Sequence, residues 1–111
     1  MMVTTDRSHD VVIVRVREPR LMHPSLPEFS SAVSTEIVKG ERKLVIDLSA
    51  VTYIDSATIG CLMDLYRQAI GAGAVLKLAG VQRRVETMLT LTGAQNFLEI
   101  YADEPSAIKS F

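Results

Sequence analysis

The stretch RKLVIDLSAVTYIDSATIGCLMDLYRQAI, Arg42 to Ile70, decides the fold. KLVID at 43–47 is apolar on both faces of an extended chain, which marks a central strand covered by helices on each side. Ile59, Leu62, Met63, Tyr66, Ala69 and Ile70 recur at helical spacing, which predicts a helix from Ala57 to about Ala69. An acid and three small residues, Asp55, Ser56, Ala57 and Thr58, stand between the two. Asp and Ser are preferred at a helix N-cap because their oxygens accept from the orphan N–H groups of the first turn.

Downstream, Gly71-Ala-Gly73-Ala closes the helix, and VLKLA at 75–79 reads as the next strand. A shorter helix over VQRRVETMLTLT uses Val81, Val85, Met88, Leu89 and Thr92, and Gly93 stops it. NFLEIYA, 96–102, reads as a last strand, and DEPSAIKSF, 103–111, as a final helical turn or two. Upstream, DVVIVRVR at 10–17 begins to alternate at Val14, so it is expected to be a strand with one wet side, nearer an edge than the centre. EPRLMHPSLPEF carries Pro19, Pro24 and Pro27, which predicts a turn, a very short strand around Leu21 and a loop. A helix follows in which Ser25 and Glu28 form a capping box and Pro27 occupies the first turn. Phe29, Ala32, Val33 and Ile37 mark its apolar face, and Gly40 ends it. Residues 1–9 are polar and expected to be loosely held.

The order is β, short β, α, β, α, β, α, β, α. It implies an α/β domain spanning 1–111, with a single mixed, mostly parallel sheet of four to five strands and about four helices. A length of 111 residues suits one core and is too short for two.

Composition excludes several function classes. Net charge is −1, so no basic field draws in nucleic acid or an anionic membrane. Three Phe, three Tyr and no Trp make a poor base-stacking platform. No apolar run reaches the roughly 18 residues that span a bilayer, and MMVTTDRSHD lacks a secretory signal pattern, so the expected setting is the cytoplasm. Cys61, the only cysteine, reads as a small buried hydrophobe on a helix. His9 and His23 have no Cys or carboxylate at ligand spacing, so no metal or cofactor is expected. Gly71 and Gly73 close a helix, whereas phosphate-cradling glycines open one. Asp47 and Asp55 are too far apart to be a catalytic pair, and Ser56 lacks an elbow such as G-x-S-x-G. Arg83 and Arg84 read as the solvated face of their helix, with a partner-contact role as the minor alternative.

Ser56 carries the functional reading. Helices on a parallel sheet begin at the carboxyl ends of the strands, the rim where such folds place binding sites. A phosphate on Ser56 would meet backbone N–H groups and the positive end of the helix dipole. It would add nearly two negative charges beside Asp55, felt mainly by whatever docks on that rim.

LVIDLSAVTYIDSATIGCLMDLYRQA resembles the signature of STAS domains, the anti-sigma factor antagonists of bacteria, whose usual form is close to D-L-S-x-V-x-x-I-D-S-S-G-L-G followed by a helix. PRLMHPSLPEF stands where the family has G-x-L-D-x-x-x-x-P-x-L, and VQRRVETMLTLTGAQNFLEIYADEPSAI resembles its closing pattern. The resemblance implies a phosphorylation-switched binding module, not an enzyme. The unphosphorylated form sequesters an anti-sigma factor that is also an ATP-binding serine kinase, phosphorylation of Ser56 releases it, and a PP2C-type, metal-dependent phosphatase resets the switch. Control of transcription is thus indirect. The implied contact residues are Met22, His23 and Ser25 in one loop and Asp55, Ser56, Ala57 and Thr58 in the other. Three residues depart from the pattern. Met22 stands at the turn's Asp, Ala57 at the second small hydroxyl residue, and Thr58, with a hydroxyl that could also be modified, at the Gly. The alternatives are a never-phosphorylated scaffold or ligand-sensing module of the same fold in a larger signalling assembly, and, more remotely, a nucleotide- or lipid-binding module or a weak hydrolase.

Overall fold

The computed structural model describes residues 3–111. Its strands are β1 (Val3–Ser8), β2 (Val11–Val16), β3 (Arg20–Leu21), β4 (Lys43–Asp47), β5 (Tyr53–Ile54), β6 (Val75–Ala79) and β7 (Glu99–Tyr101). The α-helices are α1 (Leu26–Val38), α2 (Ser56–Gly71), α3 (Arg83–Leu91) and α4 (Glu104–Lys109). The main sheet runs β1-β2-β4-β6-β7, antiparallel at β1-β2 and parallel elsewhere.

Period-2 alternation explains the layers. Val12, Val14 and Val16 of β2, Leu44 and Ile46 of β4, and Leu76 and Leu78 of β6 point to one face. There they bury against Phe29, Val33 and Ile37 of α1, Ile59, Leu62, Leu65 and Ala69 of α2, and Val85 and Leu89 of α3. Val11, Ile13, Val45 and Ala79 point the other way, onto Ala107 of α4 with Tyr101, Ile108 and Phe111 around it. The central strand is therefore covered on both sides, as its composition requires.

Lys77 faces that second layer and is only 5% exposed. Its Nζ donates to the backbone oxygen of Ser110 at 3.2 Å and to Ser110 Oγ at 2.6 Å, and lies 4.4 Å from the Phe111 ring centre. A buried ammonium needs such partners, and in meeting them it ties the C-terminal segment to the sheet.

Several sequence expectations are corrected. Residues 3–8 are not loosely held: they form β1, joined to β2 by a tight turn at His9, whose φ is +57°. Met1 and Met2 of that segment lie outside the described residues. β1 is polar and lacks a hydrophobic signal. Its ladder and the ion pairs Arg7–Glu41 and Arg15–Asp6 hold it. β2 is consequently an interior strand, buried on both faces except at Arg15. Ser25 sits at the N-cap of α1 without capping it, and its Oγ donates instead to Glu18 Oε2 at 2.7 Å, so no capping box forms. Ile70 is 59% exposed, while Leu65 takes the inward position. β3 does not join the main sheet but pairs in parallel with β5, a strand that has no signal of its own. The last strand is shorter than expected, because a 3₁₀ turn occupies Ala94–Asn96.

Two predictions follow from these contacts. Gly80 has φ +68°, and a Cβ there would lie 2.8 Å from Ser49 Cβ. Gly80→Ala is expected to destabilise by about 1–3 kcal/mol, read as a lower thermal midpoint. The second concerns acid. Arg15 makes a bidentate pair with Glu104, at 2.7 and 2.8 Å. The guanidinium holds the Glu104 carboxyl down at about 2, whereas burial, with Glu104 alongside, pushes Asp47 up. A depressed acid stabilises the fold above its ordinary value, near 4.5, and loses that contribution as pH falls toward 2. The raised Asp47 acts in the opposite sense, its contribution being lost as pH rises through its folded value. Glu104→Gln should cost about 1–2 kcal/mol at pH 7. Urea midpoints of the variant should also fall less steeply than wild type between about pH 4.5 and 2.

Candidate functional site

Two loops meet at one rim of the sheet. The first, Pro19 to Ser25, leaves β3 through a cis His23–Pro24 peptide, and a turn closes where Ser25 N–H donates to the Met22 carbonyl at 2.8 Å. The second, Thr52 to Thr58, leads from β5 into α2. The Pro19 carbonyl accepts from the N–H groups of Thr52 (2.7 Å) and Tyr53 (3.1 Å), which sets the register Arg20↔Tyr53 and Leu21↔Ile54.

Asp55 is the N-cap of α2. Its backbone is extended, with φ −118° and ψ −177°, and its Oδ1 accepts from Thr58 N–H at 3.0 Å. That bond is the main reason its carboxyl lies below the usual aspartate range, so it is ionised at neutral pH. Thr58 is fully buried. Its hydroxyl donates to the Leu21 carbonyl and also lies 2.9 Å from Asp55 Oδ1. One threonine thus joins the cap of α2 to the end of β3. Burial removes Thr58 from the expected contact residues and from the surface any kinase could reach.

Ser56 follows the cap at the first helical position and is exposed, as is Ala57. Its hydroxyl makes no hydrogen bond among the described residues, so no neighbouring base is poised to activate it. Of the first-turn donors expected to meet a phosphate, the Thr58 N–H is already taken. The Asp55 carboxylate already faces the N–H groups of Thr58 and Ala57. A phosphoryl group on Ser56 would gain the helix dipole but lie beside a fixed negative charge.

The structure brings together the two sets of expected residues. His23 is exposed, and Met22 and Ser25 are half-buried on the first loop, facing the chain that carries Asp55, Ser56 and Ala57 across the β3–β5 pair. Sequence reasoning missed β5 and the inward role of Thr58. The signal available for Thr58 was its place three residues after Asp55, where a side chain returns to the cap. Beside the rim lies an open cleft of about 260 Å³ lined by Arg20, Met22, Thr52, Tyr53 and Arg84. Among the described residues, no cluster of three or more His, Cys, Asp or Glu side chains could hold a metal, and no helix is long and apolar enough to cross a membrane. Burial pushes the half-buried Cys61 thiol up, which keeps it protonated.

Thr58→Val keeps shape and loses the hydroxyl, leaving the buried Leu21 carbonyl short of a donor. The expected cost is about 1–3 kcal/mol. Amide exchange should quicken first at Leu21 and Ile54, because their pairing loses its anchor.

Comparison with known proteins accords with this geometry. A Thermotoga neapolitana protein assigned as an anti-sigma factor antagonist is 30% identical over 63 residues, which cover 57% of this chain and 56% of that protein. The match thus spans little more than half the length of that relative. The crystal structure of a protein given the same assignment from Thermotoga maritima superposes with a TM-score of 0.90 at 26% identity, covering 98% of this chain and 93% of that one. The fold alone is shared with the Bacillus cell-fate determinant SpoIIAA in its phosphorylated form, at TM-score 0.74 and 16% identity over 97% of each chain. The STAS domain family profile matches residues 2–107. The chain belongs to the STAS domain family.

Proposed function

We propose that the protein is an anti-sigma factor antagonist whose docking is controlled by phosphorylation of Ser56. One observation carries the reading. Ser56 is exposed at the first position of α2, while the residues on either side in the turn, Asp55 and Thr58, make the contacts that hold the turn. A group added to Ser56 changes the rim and leaves the fold in place. The relatives assigned as anti-sigma factor antagonists, and a Bacillus neighbour whose structure has been determined both phosphorylated and unphosphorylated, support the same reading.

In this account the unphosphorylated rim, with Met22, His23 and Ser25 on one loop and Asp55, Ser56 and Ala57 on the other, binds an anti-sigma factor that is itself an ATP-binding serine kinase. The kinase transfers a phosphoryl group to Ser56 Oγ. The new charge of roughly −1.5 to −2 lies beside the ionised Asp55. A hundredfold loss of affinity needs only about 2.7 kcal/mol, and like charges brought together at an interface cost several. The kinase is released, and a PP2C-type phosphatase resets the protein. ATP and metal belong to these partners, the antagonist itself being no enzyme. The setting is the cytoplasm, and the effect on transcription passes through a freed sigma factor with no contact to nucleic acid.

Ser56→Asp should bind the cognate kinase about a hundredfold more weakly than wild type by calorimetry. Ser56→Ala should bind as wild type and take up no phosphoryl group, as read by intact mass after incubation with kinase and ATP. Both variants should unfold within about 0.5 kcal/mol of wild type, because the position is exposed. Wild-type affinity in Ser56→Asp would leave the never-phosphorylated interaction module as the better account.

A further inference from the structure

The cleft beside the rim shares Met22 with the switch surface and adds two arginines that the switch does not use. Arg20 comes from β3 and Arg84 from the first turn of α3, and both are exposed. Neither side chain makes an ion pair or hydrogen bond among the described residues, as is also true of Arg42, Arg83 and Lys109, but only Arg20 and Arg84 line one cleft together. Arg84 is also badly placed for its own helix. A cation in the first turn opposes the dipole, which Glu86 in the same turn complements, and α3 has no capping side chain, its N-cap Gln82 donating Nε2 to the Ser49 carbonyl at 2.6 Å. An anion in the cleft would satisfy two guanidiniums and offset that repulsion. Half-buried Met22, with Tyr53 at 43% exposure, supplies an apolar wall, while the Thr52 hydroxyl is already donated to the Pro19 carbonyl.

We infer that this cleft docks an acidic segment of the partner protein, one that presents a carboxylate next to an apolar side chain. Size favours a protein segment over a free cofactor. About 260 Å³ in an open cleft holds one or two side chains, below the roughly 300–1,000 Å³ of small-molecule sites. Composition agrees, since arginine and tyrosine are enriched where proteins meet. Because the whole chain carries a net charge of −1, attraction of an acidic segment has to come from these local arginines.

The cleft is also within reach of the switch. Tyr53 precedes Ser56 by three residues, which extend over about 10 Å at most, close to the screening length of roughly 8 Å at physiological salt. A phosphate on Ser56 would therefore oppose an acidic segment held at Arg20 and Arg84. This coupling rests on the phosphorylation reading above, whereas docking in the cleft does not.

The test is a titration of the ¹⁵N-labelled full chain with a synthetic peptide of alternating Glu and Leu. Parallel arms use the Lys-for-Glu peptide and inorganic phosphate. Saturable shifts centred on Thr52, Tyr53 and Arg84 are expected with the Glu peptide only. They should weaken at least tenfold in the folded double variant Arg20→Glu/Arg84→Glu, with Arg20→Gln/Arg84→Gln as a milder second variant. Shifts elsewhere, or affinity untouched by both double variants, overturn the inference. Phosphate binding at the same residues as tightly as the peptide also overturns it, because a bare anion subsite would then suffice. Ser56→Asp should bind the peptide at least threefold more weakly, and equal binding overturns the coupling. If kinase binding falls in Ser56→Asp while wild type ignores the peptide, the switch stands and the cleft assignment fails.

Discussion

A central strand that is apolar on both faces has to be covered twice, and most of this structure follows from that constraint. Leu44 and Ile46 of β4 need α1 and α2 on one side, and Val45 needs α4 on the other. Parallel pairing of β4 with β2 and β6 then requires crossover connections, which α1 and α2 supply. Each crossover helix begins where the chain returns over the sheet, so the amino ends of α1 and α2 come to one rim together with the loops that precede them. The position of the candidate site is a consequence of covering the sheet.

At that rim, the residues that hold the turn flank an exposed serine that does not. Asp55 and Thr58 satisfy the first turn of α2 and anchor it to Leu21, with one side chain ionised and the other fully buried. Ser56 between them takes no part. A capped helix start is a stable platform whose exposed first residue can change charge at little cost to folding. The same cap also alters the electrostatics expected of a phosphate there. One of its first-turn donors, the Thr58 N–H, is already taken by the Asp55 carboxylate.

Elements with dense local signals were legible in the sequence. The strand 75–79 and the helix stops at Gly40 and Gly93 coincide with the observed elements, because hydrophobic period and positive-φ glycine are properties of short segments. Where side-chain chemistry had to choose between partners, the local reading failed. Ser25 has the right neighbours for a capping box, yet Glu18 competes for its hydroxyl. Ile70 is expected on the helical stripe but faces solvent, while Leu65 and Ala69 are the buried positions. β1 is invisible to hydropathy because a polar edge strand is held by its ladder and by ion pairs to residues distant in the chain.

The sequence by itself determined the four helices and their order, the two-faced central strand β4 and a serine after an aspartate at a helix start. These are set by neighbours within a few residues, where backbone sterics and side-chain periodicity act directly. Only the tertiary structure decided that Thr58 is buried against the Leu21 carbonyl, that β3 pairs with β5 and that Arg20 and Arg84 line one cleft. Those outcomes depend on contacts between segments far apart in the chain. Such contacts are fixed by how the layers pack, and they leave no periodic trace in the sequence around them.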